Sequence, residues 1–249
     1  MKLSAIIIAK NNAALLKDCI ESVRFCDEVV VVDGHSTDNT VEVAKSLGAV
    51  VVEGSPTDFS KQRMVGLQKA KGDWVLYVDT DERVSKELAK EILETFQYFD
   101  ERVSVYKVKR KNFYLGKHAW PKIEKLERFF RKKDLTSWYG QLHESPAFTG
   151  LASELDGYLY HYTHQDLFSM LVKTNLWSEI EARLRFDAKH PPIVWWRFFR
   201  VFLTGFWDSY VVQKGFSVGT AGLIESMYQG FSMFVTYAKL WEMQQDKKS

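Results

Sequence analysis

Cysteine is scarce in this chain. Cys19 and Cys26 are the only two in 249 residues, too few for a disulfide framework, and no Cys/His ladder has zinc spacing. A reducing, cytoplasmic setting is expected. There are five prolines, and neither an internal repeat nor a low-complexity tract. Neither sign of charge dominates: 34 basic against 32 acidic residues leave +2, which excludes a polyanion binder by bulk charge. The basic clusters at 107–111 and 128–133 are short, so no nucleic-acid partner is expected. No run of about 18 residues is free of charge, as a membrane-spanning helix would need. The nearest, 193–212, carries Arg197, Arg200 and Asp208. The apolar stretch 5–9 is too short for a signal peptide and runs straight into Lys10-Asn11-Asn12. What the sequence has in abundance is aromatic side chains, 14% of residues with eight Trp and 17 Phe.

The first hundred residues alternate strand and helix signals. Apolar, β-branched runs at 5–9, 28–32, 50–53 and 74–78 have the continuous character of strands covered on both faces. Between them, 13–23, 40–47 and 60–70 show helical spacing, with Gly48 and Gly72 as stops. Such alternation predicts βαβ units, hence an α/β fold with a mostly parallel sheet flanked by helices. Residues 85–99 read as a further helix. Period-two alternation at 103–110 reads as a half-buried strand, and 125–131 and 158–162 supply further strands of a mixed or antiparallel extension. From Asp166 the chain reads as helical, with Pro191-Pro192 as a hinge.

Polar residues gather just after the carboxyl ends of the strands: Lys10 and Asn11, Asp33, and Asp79 with Asp81. In open α/β sheets that edge binds ligands. No G-x-G-x-x-G follows the first strand and no Walker-type loop is present, so dinucleotide binding and P-loop chemistry are excluded. Asp79-Thr80-Asp81 can place one carboxylate on a nucleotide's ribose or base and the other on Mg²⁺ or Mn²⁺, ions that accept one or two carboxylates completed by substrate phosphates and water. Alone, so short a motif reads first as an acidic surface turn; its place after a fourth buried strand, in a chain with other polar strand ends, reverses that and argues for a site. In Asp33-Gly34-His35-Ser36-Thr37-Asp38-Asn39-Thr40, helix capping accounts for Ser36 and Thr37, but not for Asp33 at a strand end.

In order, Ile6-Ile7-Ile8-Ala9-Lys10-Asn11, the Asp33 segment, Lys61-Gln62-Arg63 and Gly72-Asp73-Trp74-Val75-Leu76-Tyr77-Val78-Asp79-Thr80-Asp81-Glu82 resemble the motifs of family 2 glycosyltransferases of GT-A fold. Arg110-Lys111-Asn112-Phe113-Tyr114-Leu115-Gly116, Leu126-Glu127-Arg128-Phe129-Phe130-Arg131, Leu142-His143-Glu144 and Tyr237-Ala238-Lys239-Leu240-Trp241 are similar to the branch of lipopolysaccharide-core β-1,4-glucosyltransferases. The resemblance implies an inverting, metal-dependent transfer of a hexose, glucose from UDP-glucose, to a glycolipid or lipid-linked glycan. It implies that Asp33 and Asp79 hold the nucleoside, with Ala9, Lys10, Asn11 and Thr80 beside it, that Asp81 binds Mg²⁺ or Mn²⁺, and that Lys61 and Arg63 sit near the nucleotide. Gln62 departs from the Asn usual there. Inversion needs one general base; the resemblance points to Glu144, with Asp134 and Asp156 as weaker candidates. His143, His161 and His164 are candidates for metal or phosphate contact. Other readings are a polyprenyl-phosphate sugar transferase and a non-catalytic nucleotide- or glycan-binding scaffold.

The expected division is a catalytic domain over 1–165, with a nucleotide-binding half at 1–100 and an acceptor-side half at 101–165, followed by a helical appendage at 166–249. In the appendage Trp195, Phe198, Phe199, Phe202, Phe206 and Tyr210 recur at helical steps, with Arg197, Arg200, Thr204 and Asp208 opposite. Heavy aromatic loading beside arginines fits a helix in the membrane interface, or packing in a homodimer. The expected location is therefore the inner face of the cell membrane, held peripherally.

Overall fold

Strand β1 (Leu3–Ala9) is buried along its whole length, and its alternation explains why. Leu3, Ala5 and Ile7 enter one apolar layer, while Ile6 enters the other. It pairs in parallel with β2 (Glu28–Asp33) on one side and β4 (Trp74–Asp79) on the other, and β2 pairs in parallel with β3 (Val50–Glu53). These are the four runs expected from the sequence. Helices α1 (Ala13–Ser22), α2 (Thr40–Ser46), α3 (Phe59–Lys69) and α4 (Lys86–Gln97) cover the sheet. On one side Leu16 and Ile20 of α1 and Leu88 and Ile92 of α4 pack with Trp74 and Leu76; on the other Leu67 of α3 packs with Val75 and Tyr77. Two helix starts are fixed by side-chain caps. The carboxylate of Asp58 accepts from Lys61 N at 3.1 Å, and Ser85 Oγ accepts from Leu88 N at 3.1 Å.

This computed structural model describes residues 1–140 and 144–246. Beyond β4 the sheet continues with β5 (Glu82–Val84), β6 (Val103–Tyr114), β7 (His118–Arg131) and β10 (Leu151–Tyr162), in the order β3-β2-β1-β4-β7-β6-β10-β5. The pairings β4–β7 and β10–β5 are antiparallel. Strands β8 (Leu135–Tyr139) and β9 (Ser145–Phe148) make a separate antiparallel pair. By contact, residues 1–111 with 124–161 form one compact unit, and 112–123 with 162–249 form a second.

The second unit holds α5 (Leu167–Asp187), α6 (Trp195–Trp207) and α7 (Gly219–Asp246). Ala182, Ile193, Val201, Tyr237 and Leu240 make its core. Helices α6 and α7 cross where glycines meet: a Cβ on Gly205 would lie 3.2 Å from Gly230 Cα, and one on Gly230 2.7 Å from Phe202 O. At Gly230 a side chain would overlap backbone, and at Gly205 it would crowd the facing helix. The arc of α6 that packs is therefore built on Val201 and Gly205, with Phe198 and Phe202 at its margins, and the sequence stripe divides. Trp195, Phe199, Leu203 and Trp207 face out, at 61–74% exposure, and share that face with exposed Arg200 and Thr204. Among the described residues no helix is long and apolar enough to cross a membrane.

Candidate active site

The parallel registers bring the polar strand ends level. Ala9 pairs with Asp33, and Ile8 with Asp79. Just beyond, the first two βα loops are stitched together. Ala9 O accepts from Gly34 N at 2.8 Å, Ser36 Oγ accepts from Asn11 N at 2.9 Å, and Asn11 Oδ1 accepts from Thr37 N at 2.7 Å. Asn11 and His35 both take positive φ, 51° and 64°, which turns each loop sharply after its strand. Asp33 is 8% exposed and accepts from Ser36 N at 3.1 Å. Lys10 is exposed, and its Nζ donates to Pro56 O at 3.1 Å.

Two positions apart on α3, Lys61 and Arg63 diverge. The Lys61 side chain is 74% exposed and pairs with Asp58 at 3.3 Å; that of Arg63 is 4% exposed. Between them, Gln62 is buried and its amide donates to Ser55 O. Arg63 donates from Nε and Nη2 to Glu144 Oε1 at 2.8 and 2.6 Å, and from Nη2 to Asp79 Oδ1 at 3.1 Å. Its guanidinium lies 4.9 Å from the Trp138 ring centroid and 5.4 Å from that of Tyr77. Nη1 is buried with no partner among the described residues.

The other oxygen of Asp79 accepts from Arg128 Nη2 at 2.7 Å, and the same nitrogen donates to Glu82 Oε1 at 2.9 Å. Glu82, fully buried, also accepts from Asp79 N at 2.9 Å and from Arg110 Nη1 at 3.2 Å. Arg110 in turn grips Glu124 at 2.8 and 3.0 Å. Carboxylates and guanidiniums thus alternate from Glu144 through Arg63, Asp79, Arg128, Glu82 and Arg110 to Glu124. Burial alone would raise the Asp79 pKa, but Arg128 and Arg63 outweigh it and hold the carboxyl far below the usual range. Burial would lower that of Arg128, which Asp79 and Glu82 instead push up.

Asp81 follows two residues after Asp79. Its carboxylate is 3.4 Å from His161 Nε2, with side-chain exposures of 18% and 15%. The β10–β5 register explains the meeting: His161 stands across from Glu82, the residue after Asp81. An imidazole nitrogen and a carboxylate oxygen side by side suit Mg²⁺ or Mn²⁺ as two ligands of a set. Among the described residues no three potential metal ligands converge. Thr80 is buried, and its carbonyl accepts from Arg83 Nη1 at 2.8 Å.

His164 belongs to the second unit, where its Nδ1 lies 3.1 Å from both oxygens of the buried Glu225 and its ring stacks on Tyr114. His143 lies outside the described residues. Asp134 is paired with Arg131, and Asp156 is 92% exposed against Lys109. Of the three candidate bases, Glu144 alone joins the cluster at the strand ends. Sequence reasoning missed Arg128, Glu82 and Arg110; for the two arginines, the mixed charges along β7 beside an all-basic run in β6 were the available signal.

The model of the family "Glycosyl transferase family 2" matches residues 4–157. The chain belongs to that family. It is therefore a glycosyltransferase, and its sheet of parallel β3-β2-β1-β4 continued by antiparallel pairings is the GT-A fold. An uncharacterized glycosyltransferase of Rickettsia bellii is 32% identical, over 97% of this chain and 87% of the relative. The lipopolysaccharide core biosynthesis glycosyltransferase LpsC of Rhizobium meliloti is 27% identical, over 97% and 93%. Among solved structures, glucosyl-3-phosphoglycerate synthase of Mycobacterium tuberculosis, in complex with Mn²⁺ and UDP-glucose, overlaps 44% of this chain and 43% of its own, with 22% identity and a TM-score of 0.39.

Proposed function

We propose that this glycosyltransferase transfers a hexose with inversion from a nucleotide sugar, UDP-glucose, to a glycolipid or lipid-linked glycan of lipopolysaccharide-core type. The observation that carries the reading is the arrangement at the strand ends: a recessed acid at Asp33, a carboxylate–imidazole pair at Asp81 and His161, and Glu144 tied to the Asp79 side of the same edge. Likeness to LpsC supports the acceptor class.

Asp33 accepts hydrogen bonds from the nucleoside, and Ala9, Lys10, Asn11 and Thr80 border the donor. Lys61, exposed on the first turn of α3, is a cation on offer to the diphosphate. Asp81 and His161 would hold Mg²⁺ or Mn²⁺, which neutralises charge on a departing nucleoside diphosphate. Glu144 takes the proton of the acceptor hydroxyl as that oxygen attacks the anomeric carbon from the side opposite the leaving group. The hydrogen bonds from Arg63 fall on Oε1, and Oε2 has no partner among the described residues, so one oxygen orients the group while the other receives the proton.

The outward face of α6 supports work at a membrane surface: Trp195, Phe199, Leu203 and Trp207 are exposed in line, with Arg200 beside them. Amphipathic helices with aromatic and cationic faces settle at the headgroup boundary. On this reading the enzyme sits peripherally on the inner face of the cell membrane, where a lipid-linked acceptor is presented.

A thermal-shift panel of UDP-, GDP- and dTDP-sugars with Mn²⁺ tests the donor, because a ligand bound only by the folded state raises apparent stability. UDP-glucose should give the largest shift; a GDP- or dTDP-sugar giving it instead would overturn the nucleotide assignment. Flotation with anionic liposomes tests the membrane contact. A full-length chain that stays in the soluble fraction, while eluting as a dimer, would replace it with subunit packing.

A further inference from the structure

The glycosyltransferase has a buried arginine directly beneath its proposed base. Arg63 reaches Glu144 Oε1 with two N–H groups and Asp79 Oδ1 with one of the same two. It is boxed in by the Trp138 and Tyr77 rings, and the Tyr77 hydroxyl donates to the Arg63 carbonyl at 3.1 Å. Its side chain is 4% exposed. A phosphate in the open site has little of this guanidinium to touch: Nε and Nη2 are committed, and Nη1 is buried. What Arg63 can do is fix the place of Glu144, which follows directly on residues outside the described set and precedes the short strand β9.

We propose that Arg63 is a positioning residue for Glu144, acting from below the substrate site, and that Asp79 is the anchor which holds Arg63 in that pose. The inference rests on the reading of Glu144 as the base, and departs from the expectation that Arg63 and Asp79 themselves touch the nucleotide. A planar fork held on two anions has a fixed direction, which a point charge on a flexible stem lacks. The orientation that Arg63 imposes is worth most in the proton-transfer step, so its loss appears in kcat rather than in donor binding.

The test compares Arg63→Lys, Arg63→Met, Glu144→Gln and the double variant Arg63→Lys/Glu144→Gln in the full chain. Folded sites are counted by UDP–Mn²⁺ titration, and turnover of UDP-glucose is expressed per folded site. Arg63→Lys should lose on the order of 10²-fold in kcat, the scale of a small misplacement of a reacting group. Its KM for UDP-glucose and Kd for UDP should stay within about twofold. Arg63→Met should lose more, so that lysine is a partial rescue. The double variant should be no worse than Glu144→Gln by more than about threefold, because both changes remove one function.

A Kd for UDP weakened about tenfold with kcat intact would make Arg63 a nucleotide ligand and overturn the proposal. Full kcat per folded site in Arg63→Lys, beside an inert Glu144→Gln, would sink the positioning role alone. Near-normal turnover by Glu144→Gln would sink the base assignment and the positioning role together. One measurement needs no Arg63 variant. In the native chain the Arg63 Nε–H, bonded to Glu144, should exchange slowly with solvent, and it should exchange faster in Glu144→Ala. Unchanged exchange would overturn the pair.

Discussion

Arg128 is the group on which the buried charges of this glycosyltransferase most depend, and Arg128→Met is the perturbation that measures it. The side chain is 6% exposed and its Nη2 serves Asp79 at 2.7 Å and Glu82 at 2.9 Å. Methionine fills a similar length without donors. Asp79 keeps Arg63 and Glu82 keeps Arg110, so neither carboxylate is left bare, yet each loses its closest cation. Removing one partner of a buried pair costs about 3–5 kcal/mol, and the surviving arginines place this case near about 3 kcal/mol. For a chain of this size 1 kcal/mol moves the melting temperature by about 2–4 °C, so Tm should fall by roughly 6–12 °C. In a urea titration the midpoint should drop with the slope unchanged, since the surface exposed on unfolding is the same. Arg128→Lys should fall between, keeping charge without the planar fork. A loss below about 1 kcal/mol in Arg128→Met, the range of an ordinary surface substitution or a screened ion pair, would refute the reasoning that these charges are desolvated and mutually dependent.

Three further outcomes are expected. Asp58 caps α3, and its hydrogen bonds from Ser60 and Lys61 hold its pKa below the ordinary value against the opposing effect of burial. Its contribution is thus present above about pH 4, the unfolded value, and is lost as pH falls through the folded one. Asp58→Ala should cost about 1 kcal/mol at pH 7, with the gap to wild type closing below about pH 4 in urea titrations. Gly157→Ala should destabilise by about 1–3 kcal/mol, because its Cβ would fall on the backbone of Leu88, which cannot swing aside as a side chain can; a neutral result by the same titration would refute that packing. The triple change Trp195→Ser/Phe199→Ser/Trp207→Ser should weaken binding to anionic vesicles by on the order of 10²-fold in flotation, from apolar groups no longer inserted, and leave UDP affinity unchanged.

The nucleotide-side half of the fold was legible because its strands are covered on both faces. A run such as Val29-Val30-Val31-Val32 can be little else than an interior strand, and the polar residue that ends it, Asp33, falls at the sheet edge by construction. Asp81 was legible for the same reason. The partner of Asp81 was only half so. His161 was visible as a candidate, but its meeting with Asp81 depends on the antiparallel register of β10 on β5, which joins residues about eighty apart in sequence. Arg128 was harder still: beside Lys125 and Glu127 it reads as one more charge on a solvated strand, and only the placement of β7 next to β4 turns it inward. On α6 the period was clear but the direction was not. Aromatics occupy about half of the helix circumference, so hydrophobicity could not say which arc packs; Gly205, matched to Gly230, decides it.

The alternating chain from Glu144 to Glu124 raises the question of why a fold would bury two guanidiniums and half-bury a third where leucine or methionine could sit. Stability is a poor answer, since well-packed apolar side chains at such places are often as stable or more so. Apolar packing, however, is tolerant in direction, whereas a guanidinium shared between two carboxylates has nearly one pose. Each arginine here joins parts of the sheet distant in sequence: Arg63 ties α3 to β4 and to Glu144, Arg128 ties β7 to β4 and β5, and Arg110 ties β6 to β5 and β7. The segment from Asp79 to Glu82 lies at the crossing of all three. That segment carries Asp81, so the network sets the position of the proposed metal ligand and of the proposed base through one rigid body of ion pairs, and a reaction that needs both in register gains from charges that a stability argument alone would discard.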